Sequence, residues 1–238
     1  LLTIEGVKLS KSKSKSEVKS GKYFGWDDPR TWSLQSLKRR GFRPEAIRNF
    51  ILGFGVNEHE AMVSVDKFYS ENRKLIEPNA NRYFLVEDPV EIKIKDALKI
   101  EVELRLHPDF PERGFRKYLT SGSFYISKKD FENLEEGKVH RLMDCFNFTK
   151  KKDEFIYHSK NYEEFRDAKN KGVILHYVPK DNAVRFESVM DNGEIIKGLA
   201  ESEIKNLKTN DIIQAERRFF CRLDHVIEDT YKFWFTHK

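Results

Sequence analysis

Residues 98–106 read Leu98-Lys99-Ile100-Glu101-Val102-Glu103-Leu104-Arg105-Leu106. Apolar and charged side chains alternate without a break. In an extended chain successive side chains point to opposite faces, so the apolar set faces one way and the charged set the other. This is the pattern of a half-buried strand. Working outward, strand character recurs at 83–86, 90–94, 123–127, 154–158, 173–178, 184–189, 194–200, 211–216, 219–223 and 231–235. Polar turns such as Asp191-Asn192-Gly193 separate these runs. Many short strands joined in this way imply antiparallel sandwiches or barrels. Residues 130–134 read as one helical turn, and there is no tandem repeat.

Upstream the period changes to that of a helix. Leu34 and Leu37 fall on one face ahead of Gly41, Pro44 suits a first helical turn, and Ala46, Ile47, Phe50 and Ile51 form a stripe. Phe68, Tyr69, Asn72, Leu75 and Ile76 share a side before Pro78. Residues 31–77 therefore read as a small helical bundle. Residues 8–22 hold six Lys and five Ser with no apolar period and read as a flexible loop.

The 238 residues include 19 Phe, 9 Tyr and 3 Trp, enough aromatic volume for real cores, so global disorder is excluded. Net charge is +5, but residues 1–43 alone carry +7. A basic end of this kind is the footprint of a polyphosphate partner. Cys145 and Cys221 stand alone in apolar surroundings and read as buried thilols of a reducing, cytoplasmic setting; no spacing suits a metal. No apolar run is long enough to cross a membrane as a helix. The chain starts at Leu1, in a strand-like Leu2-Thr3-Ile4, and is expected to be part of a longer polypeptide.

Several segments carry a resemblance. Lys8-Leu9-Ser10-Lys11-Ser12 is similar to the KMSKS signature of class I aminoacyl-tRNA synthetases, with Leu in place of Met. Gly25-Trp26-Asp27-Asp28-Pro29-Arg30 follows, then Arg39-Arg40-Gly41 and Pro44-Glu45-Ala46-Ile47-Arg48. The order continues through Asn72-Arg73-Lys74-Leu75-Ile76-Glu77-Pro78, Leu106-His107-Pro108, Arg141-Leu142, His176-Tyr177-Val178 and Gln214-Ala215-Glu216-Arg217. Together these resemble glutamyl- and glutaminyl-tRNA synthetases of the archaeal and eukaryotic type, over nearly all of 4–224. The glutamate version is the nearer match; the glutamine version and a non-catalytic RNA-binding scaffold are the alternatives.

The resemblance implies an α+β, mainly β chain. Residues 1–30 would end the catalytic region, 31–78 would form a helical stem-contact region, and 79–238 would form two antiparallel β-barrels that bind the anticodon, one of them allowed to be discontinuous in sequence. It implies ATP with Mg in the full-length enzyme and neither in this chain, which is expected to lack the nucleotide-binding domain. The implied partner is a glutamate-specific tRNA, with no DNA and no membrane, and with room for other translation factors or synthetases. Lys8, Leu9, Ser10, Lys11 and Ser12 would meet ATP, with Lys11 stabilising charge on its phosphates. Arg141, Gln214, Glu216 and Arg217 would face the anticodon, where unstacked bases are read by their edges and by stacking. Arg39, Arg40, Arg43 and Arg48 would grip the tRNA backbone, a contact that positions without reading sequence.

Overall fold

The computed structural model describes residues 2–4, 10–53 and 61–238. Its helices are α1 (Lys11–Lys19), α2 (Leu34–Arg40), α3 (Pro44–Leu52), α4 (Val65–Ile76) and the short α5 (Lys128–Glu132) and α6 (Tyr162–Arg166). No helix among the described residues is long and apolar enough to cross a membrane.

The first helix corrects the loop expected at 8–22. Ser10 accepts a hydrogen bond from the Lys13 backbone N–H and so caps α1. Lys and Glu lose little rotamer freedom in a helix, so a run without apolar periodicity still winds once it is capped. Lys8 and Leu9 lie outside the described residues. Ser33 caps α2, and Gly41 ends it at a φ of 94°, in the left-handed region glycine enters without strain. The buried face of α2 runs through Ser36, Leu37 and Arg40; Leu34 is 71% exposed, so the expected Leu34–Leu37 face does not form. Pro44 begins α3 and Ser64 caps α4. Leu37, Phe42, Phe50, Phe68 and Tyr69 pack together with Ile4 and Val63 as one small core.

The strands are β1 (Leu2–Ile4), β2 (Ala61–Val63), β3 (Asn81–Tyr83), β4 (Leu85–Glu87), β5 (Pro89–Lys95), β6 (Glu101–Arg105), β7 (Phe115–Leu119), β8 (Ser123–Ser127), β9 (Val139–Leu142), β10 (Asn147–Lys151), β11 (Glu154–Ser159), β12 (Lys171–Leu175), β13 (Val178–Pro179), β14 (Ala183–Val189), β15 (Ile195–Glu201), β16 (Ile212–Ala215), β17 (Phe219–Ile227) and β18 (Thr230–His237). Two seven-stranded sheets dominate, ordered β12-β9-β10-β11-β5-β8-β13 and β3-β16-β17-β18-β14-β15-β4; among the described residues β6 pairs only with β7, and β1 with β2.

The chain enters the second sheet at 81–87, builds the whole of the first sheet, then returns at 183 to finish the second. Most pairings are antiparallel, as the short hairpins require. Some strands brought together from distant segments pair parallel, as in β16 with β3 and β14 with β18, and others antiparallel, as in β15 with β4. The segment 83–85 shows how alternation serves two cores at once. Phe84 packs into the first sheet's core with Ile92, Phe124, Phe146 and Phe148, while Tyr83 and Leu85 pack into the second with Phe186, Phe219 and Phe233. Burial alternates over 101–105, where Val102 and Leu104 are sealed into the first core. Leu98 is exposed and precedes the strand.

Candidate nucleic-acid interface

Arginines decide which surface can meet an RNA, and the structure separates those that are free from those that are committed. Arg40 is 0% exposed. Its Nε donates to the Phe235 carbonyl at 3.1 Å and its Nη2 to the Thr236 carbonyl at 2.8 Å, which ties α2 to β18. Arg39 lies over the Trp234 ring, 4.1 Å from its centroid, and pairs with both Asp27 and Asp224. Burial alone would raise the Asp224 carboxyl. The hydrogen bonds from Arg39 and His225, with the charges of Arg39 and Arg222, outweigh that and hold it at about 2. Both arginines therefore leave the phosphate-contact set expected from sequence: they join the helices to the second sheet. Arg43 and Arg48 are exposed and make no ion pair with any described residue.

Asp28 caps the turn Pro29–Thr31 and binds Arg30 twice, at 2.8 and 2.6 Å, so the Gly25–Arg30 motif is a structural corner. Ahead of it, Ser10, Lys11 and Ser12 are exposed at the start of α1, and the first turn of α1 holds no acidic residue. Unpaired backbone N–H groups and cations at a helix start suit phosphate oxygens, so these residues fit a nucleotide's phosphates.

Arg141 does not join Gln214 and Arg217. It sits on β9, 6% exposed, where Nη1 donates to Asn147 Oδ1 at 2.8 Å and to the Lys160 carbonyl at 3.0 Å. Glu216 is also committed: Arg116 Nη2 donates to its Oε2 at 3.0 Å. The other Arg116 nitrogen, Nη1, donates to Glu201, which also accepts from the Phe84 backbone N–H. Burial raises the Glu201 carboxyl to about 7, against the pull of Arg116. One guanidinium thus serves two carboxylates at the junction of the two sheets.

Gln214 and Arg217 do come together. Gln214 lies on β16 and Arg217 in the turn to β17, with Ile213 and Ala215 buried in the second sheet's core. Arg217 has a φ of 58°, is exposed, and makes no hydrogen bond or ion pair with any described residue. This corner overhangs a cleft of about 770 Å³ whose wall also carries Arg73, Lys74, Arg218 and Lys238. These four were absent from the RNA-contact residues expected from sequence. The only local signals were the adjacent pairs Arg73-Lys74 and Arg217-Arg218; what unites them is the packing of α4 beside β17.

Two other candidates resolve as structure. Glu77, His107 and Asp109 place possible ligand atoms within 4.8 Å of one another. However, His107 Nε2 lies 3.1 Å from the Glu77 carbonyl and Nδ1 accepts from the Asp109 N–H at 3.2 Å, so the ring has no free lone pair for a cation. Cys145 and Cys221 are buried free thiols, and burial pushes the former up to about 12.

Two family models match the sequence. The model for the catalytic domain of class I tRNA synthetases (E and Q) covers residues 1–78, and that for their anti-codon binding domain covers 80–166. The glutamate–tRNA ligases of Pyrococcus furiosus, Thermococcus kodakarensis and Methanococcus maripaludis are 42%, 40% and 36% identical to it, over all of this chain. The chain belongs to the class I glutamate and glutamine tRNA synthetases. It spans 42–43% of the length of these relatives. Within the synthetase family the catalytic-domain match takes in α1 to α4, and the boundary at 78–80 falls where α4 gives way to β3. The anticodon-domain match ends at 166, within the first sheet; the similarity to the three ligases carries on through the second.

Proposed function

We propose that this chain is the tRNA-binding portion of a glutamate–tRNA ligase, a cytoplasmic enzyme that joins glutamate to its tRNA using ATP with Mg. The observation that carries this reading is the whole-chain similarity to archaeal glutamate–tRNA ligases. The geometry adds to it. Gln214 offers an amide and Arg217 an unpaired guanidinium at an open corner, the donor types that read and stack on unstacked anticodon bases. Arg141 and Glu216 act in this reading by shaping the sheets behind that corner. Arg43 and Arg48 are the backbone-facing candidates left on the helices.

In the complete enzyme ATP would activate the glutamate carboxylate by adenylyl transfer, the carboxylate joining the α-phosphate as pyrophosphate leaves. Ser10, Lys11 and Ser12 would meet its phosphates, where the Lys11 ammonium offsets growing negative charge. The test is a binding assay of the chain against glutamate, glutamine and unrelated tRNA transcripts. Tightest binding to glutamate tRNA, reduced by one altered anticodon base, is expected. Equal binding to all three would overturn the reading.

A further inference from the structure

We infer that the cleft between the last turn of α4 and the β16–β17 corner is a second RNA subsite, which takes the ribose-phosphate backbone adjoining the bases that Gln214 and Arg217 face. The inference rests on the tRNA reading above and extends it to residues outside that corner.

Charge is the first argument. The side chains of Arg73, Lys74, Arg217, Arg218 and Lys238 line the cleft, against one acidic side chain, Glu77. Glu77 is already taken: Arg82 Nη2 donates to it at 3.3 Å. Even with Arg218 paired to Glu87, four cations are more than one small anion needs. Spread over an open cleft of about 770 Å³, they suit a chain of phosphates.

Availability is the second. Arg217 has no partner among the described residues. Among the described residues Lys74 pairs only with Glu71, three residues away on the helix surface, and an exposed pair of that kind yields readily to a phosphate. Arg73 donates to the Lys238 main-chain oxygen and pairs with no acidic side chain among the described residues. Arg218, by contrast, is paired with Glu87 and donates to the Leu85 carbonyl, so it shapes the wall rather than adding a free charge. Rigidity is the third. Phe219 and Phe220, both buried, form the floor and fix the cations relative to the sheet. Arg73 and Lys74 stand on a helix that Ile76 and Ala80 pack against Phe220. The cleft thus continues without interruption from the proposed base-facing corner onto α4.

The experiment measures binding of the full chain to a glutamate tRNA transcript, and to the same transcript with one anticodon base altered, across a salt titration. The double variant Arg73→Gln, Lys74→Gln should weaken both RNAs on the order of tenfold at low salt, and flatten the slope of log affinity against log salt by roughly 1–2. The ratio between the two RNAs should stay as in the unaltered chain, whereas Arg217→Gln should lower it. Lys74→Glu, at a side chain 64% exposed, should reproduce the loss with an unchanged unfolding midpoint, which separates the effect from misfolding. An unchanged salt slope in the double variant overturns the subsite. So does a changed ratio with the slope intact, since the cleft would then read bases. Loss of binding to phosphatidylserine vesicles with tRNA binding unaffected overturns it in favour of a membrane surface. If the unaltered chain shows no preference for glutamate tRNA, the functional reading fails instead, an outcome distinct from all of these.

Discussion

Arg40 shows how far a side chain's role can depart from its type. A guanidinium removed from water needs acceptors within the protein, and here two backbone carbonyls of β18 accept from Nε and Nη2. The ring of Trp32 lies 5.0 Å from the guanidinium carbon and adds a cation–π contact. Replacing Arg40 with Met strands the Phe235 and Thr236 carbonyls without donors. The expected cost is roughly 2–4 kcal/mol of folding stability, since hydrogen bonds to charged groups are each worth about 1.5–3 kcal/mol. Urea denaturation measures the loss, and the salt slope of tRNA binding should stay as in the unaltered chain. A flattened slope with full stability would return Arg40 to the phosphate-contact set. None of this was legible in the sequence, because Arg39-Arg40 reads as a basic pair whichever way α2 faces. The direction is set by the packing of Leu37 and Ser36.

At the scale of the element, alternation is informative only where the buried face is apolar. Residues 101–105 meet that condition and announce themselves. Their partner β7 has the same burial pattern, but one of its buried residues is Arg116, which breaks the apolar rhythm and hides the strand. β9 hides for another reason: Val139, His140, Arg141 and Leu142 are all buried, so there is no polar face to alternate with. In β15 the constraint is backbone approach. A Cβ on Gly198 would fall 2.0 Å from the Val86 carbonyl oxygen and 2.9 Å from Glu87 Cα, both backbone atoms of the neighbouring strand. Gly198→Ala should therefore push β4 from β15 and destabilise the chain by about 3 kcal/mol or more. A urea midpoint within error of the unaltered chain would show that the two strands can separate at no cost.

For the whole molecule, the Arg116–Glu201–Glu216 cluster is the joint between the sheets. Two carboxylates share one guanidinium, and Glu201 is fully buried, so its protonated form is favoured and its carboxyl rises to about 7 from an ordinary 4.5. The folded chain keeps a proton that the unfolded chain has already released. Stability from this group is therefore greatest below about pH 4.5 and falls as pH rises towards 7. Glu201→Gln keeps an acceptor for the Phe84 N–H and cannot ionise. Its stability should change less between pH 5 and pH 7.5 than that of the unaltered chain, by urea midpoints at each pH. Identical pH dependence in both would place the proton elsewhere. The same joint sits directly behind Gln214 and Arg217, so the pH response and the set of the proposed base-facing corner belong to one network.

The sequence alone determined the class of this protein. The periods of two and of about 3.6 residues marked most strands and α2 to α4, since they express which face is buried, and that is a local property of the chain. The run of motifs from Lys8 to Arg217 marked the family, because it reports descent without any need for coordinates. Tertiary structure alone decided which cations are available. Arg39, Arg40, Arg116 and Arg141 carry the same charge in sequence as Arg73, Lys74 and Arg217. Only the folded chain brings Asp224, the β18 carbonyls, Glu201 and Asn147 to the first group while leaving the second open to solvent. A charge held by partners from strands up to 196 residues away cannot be told from a free one by any local pattern.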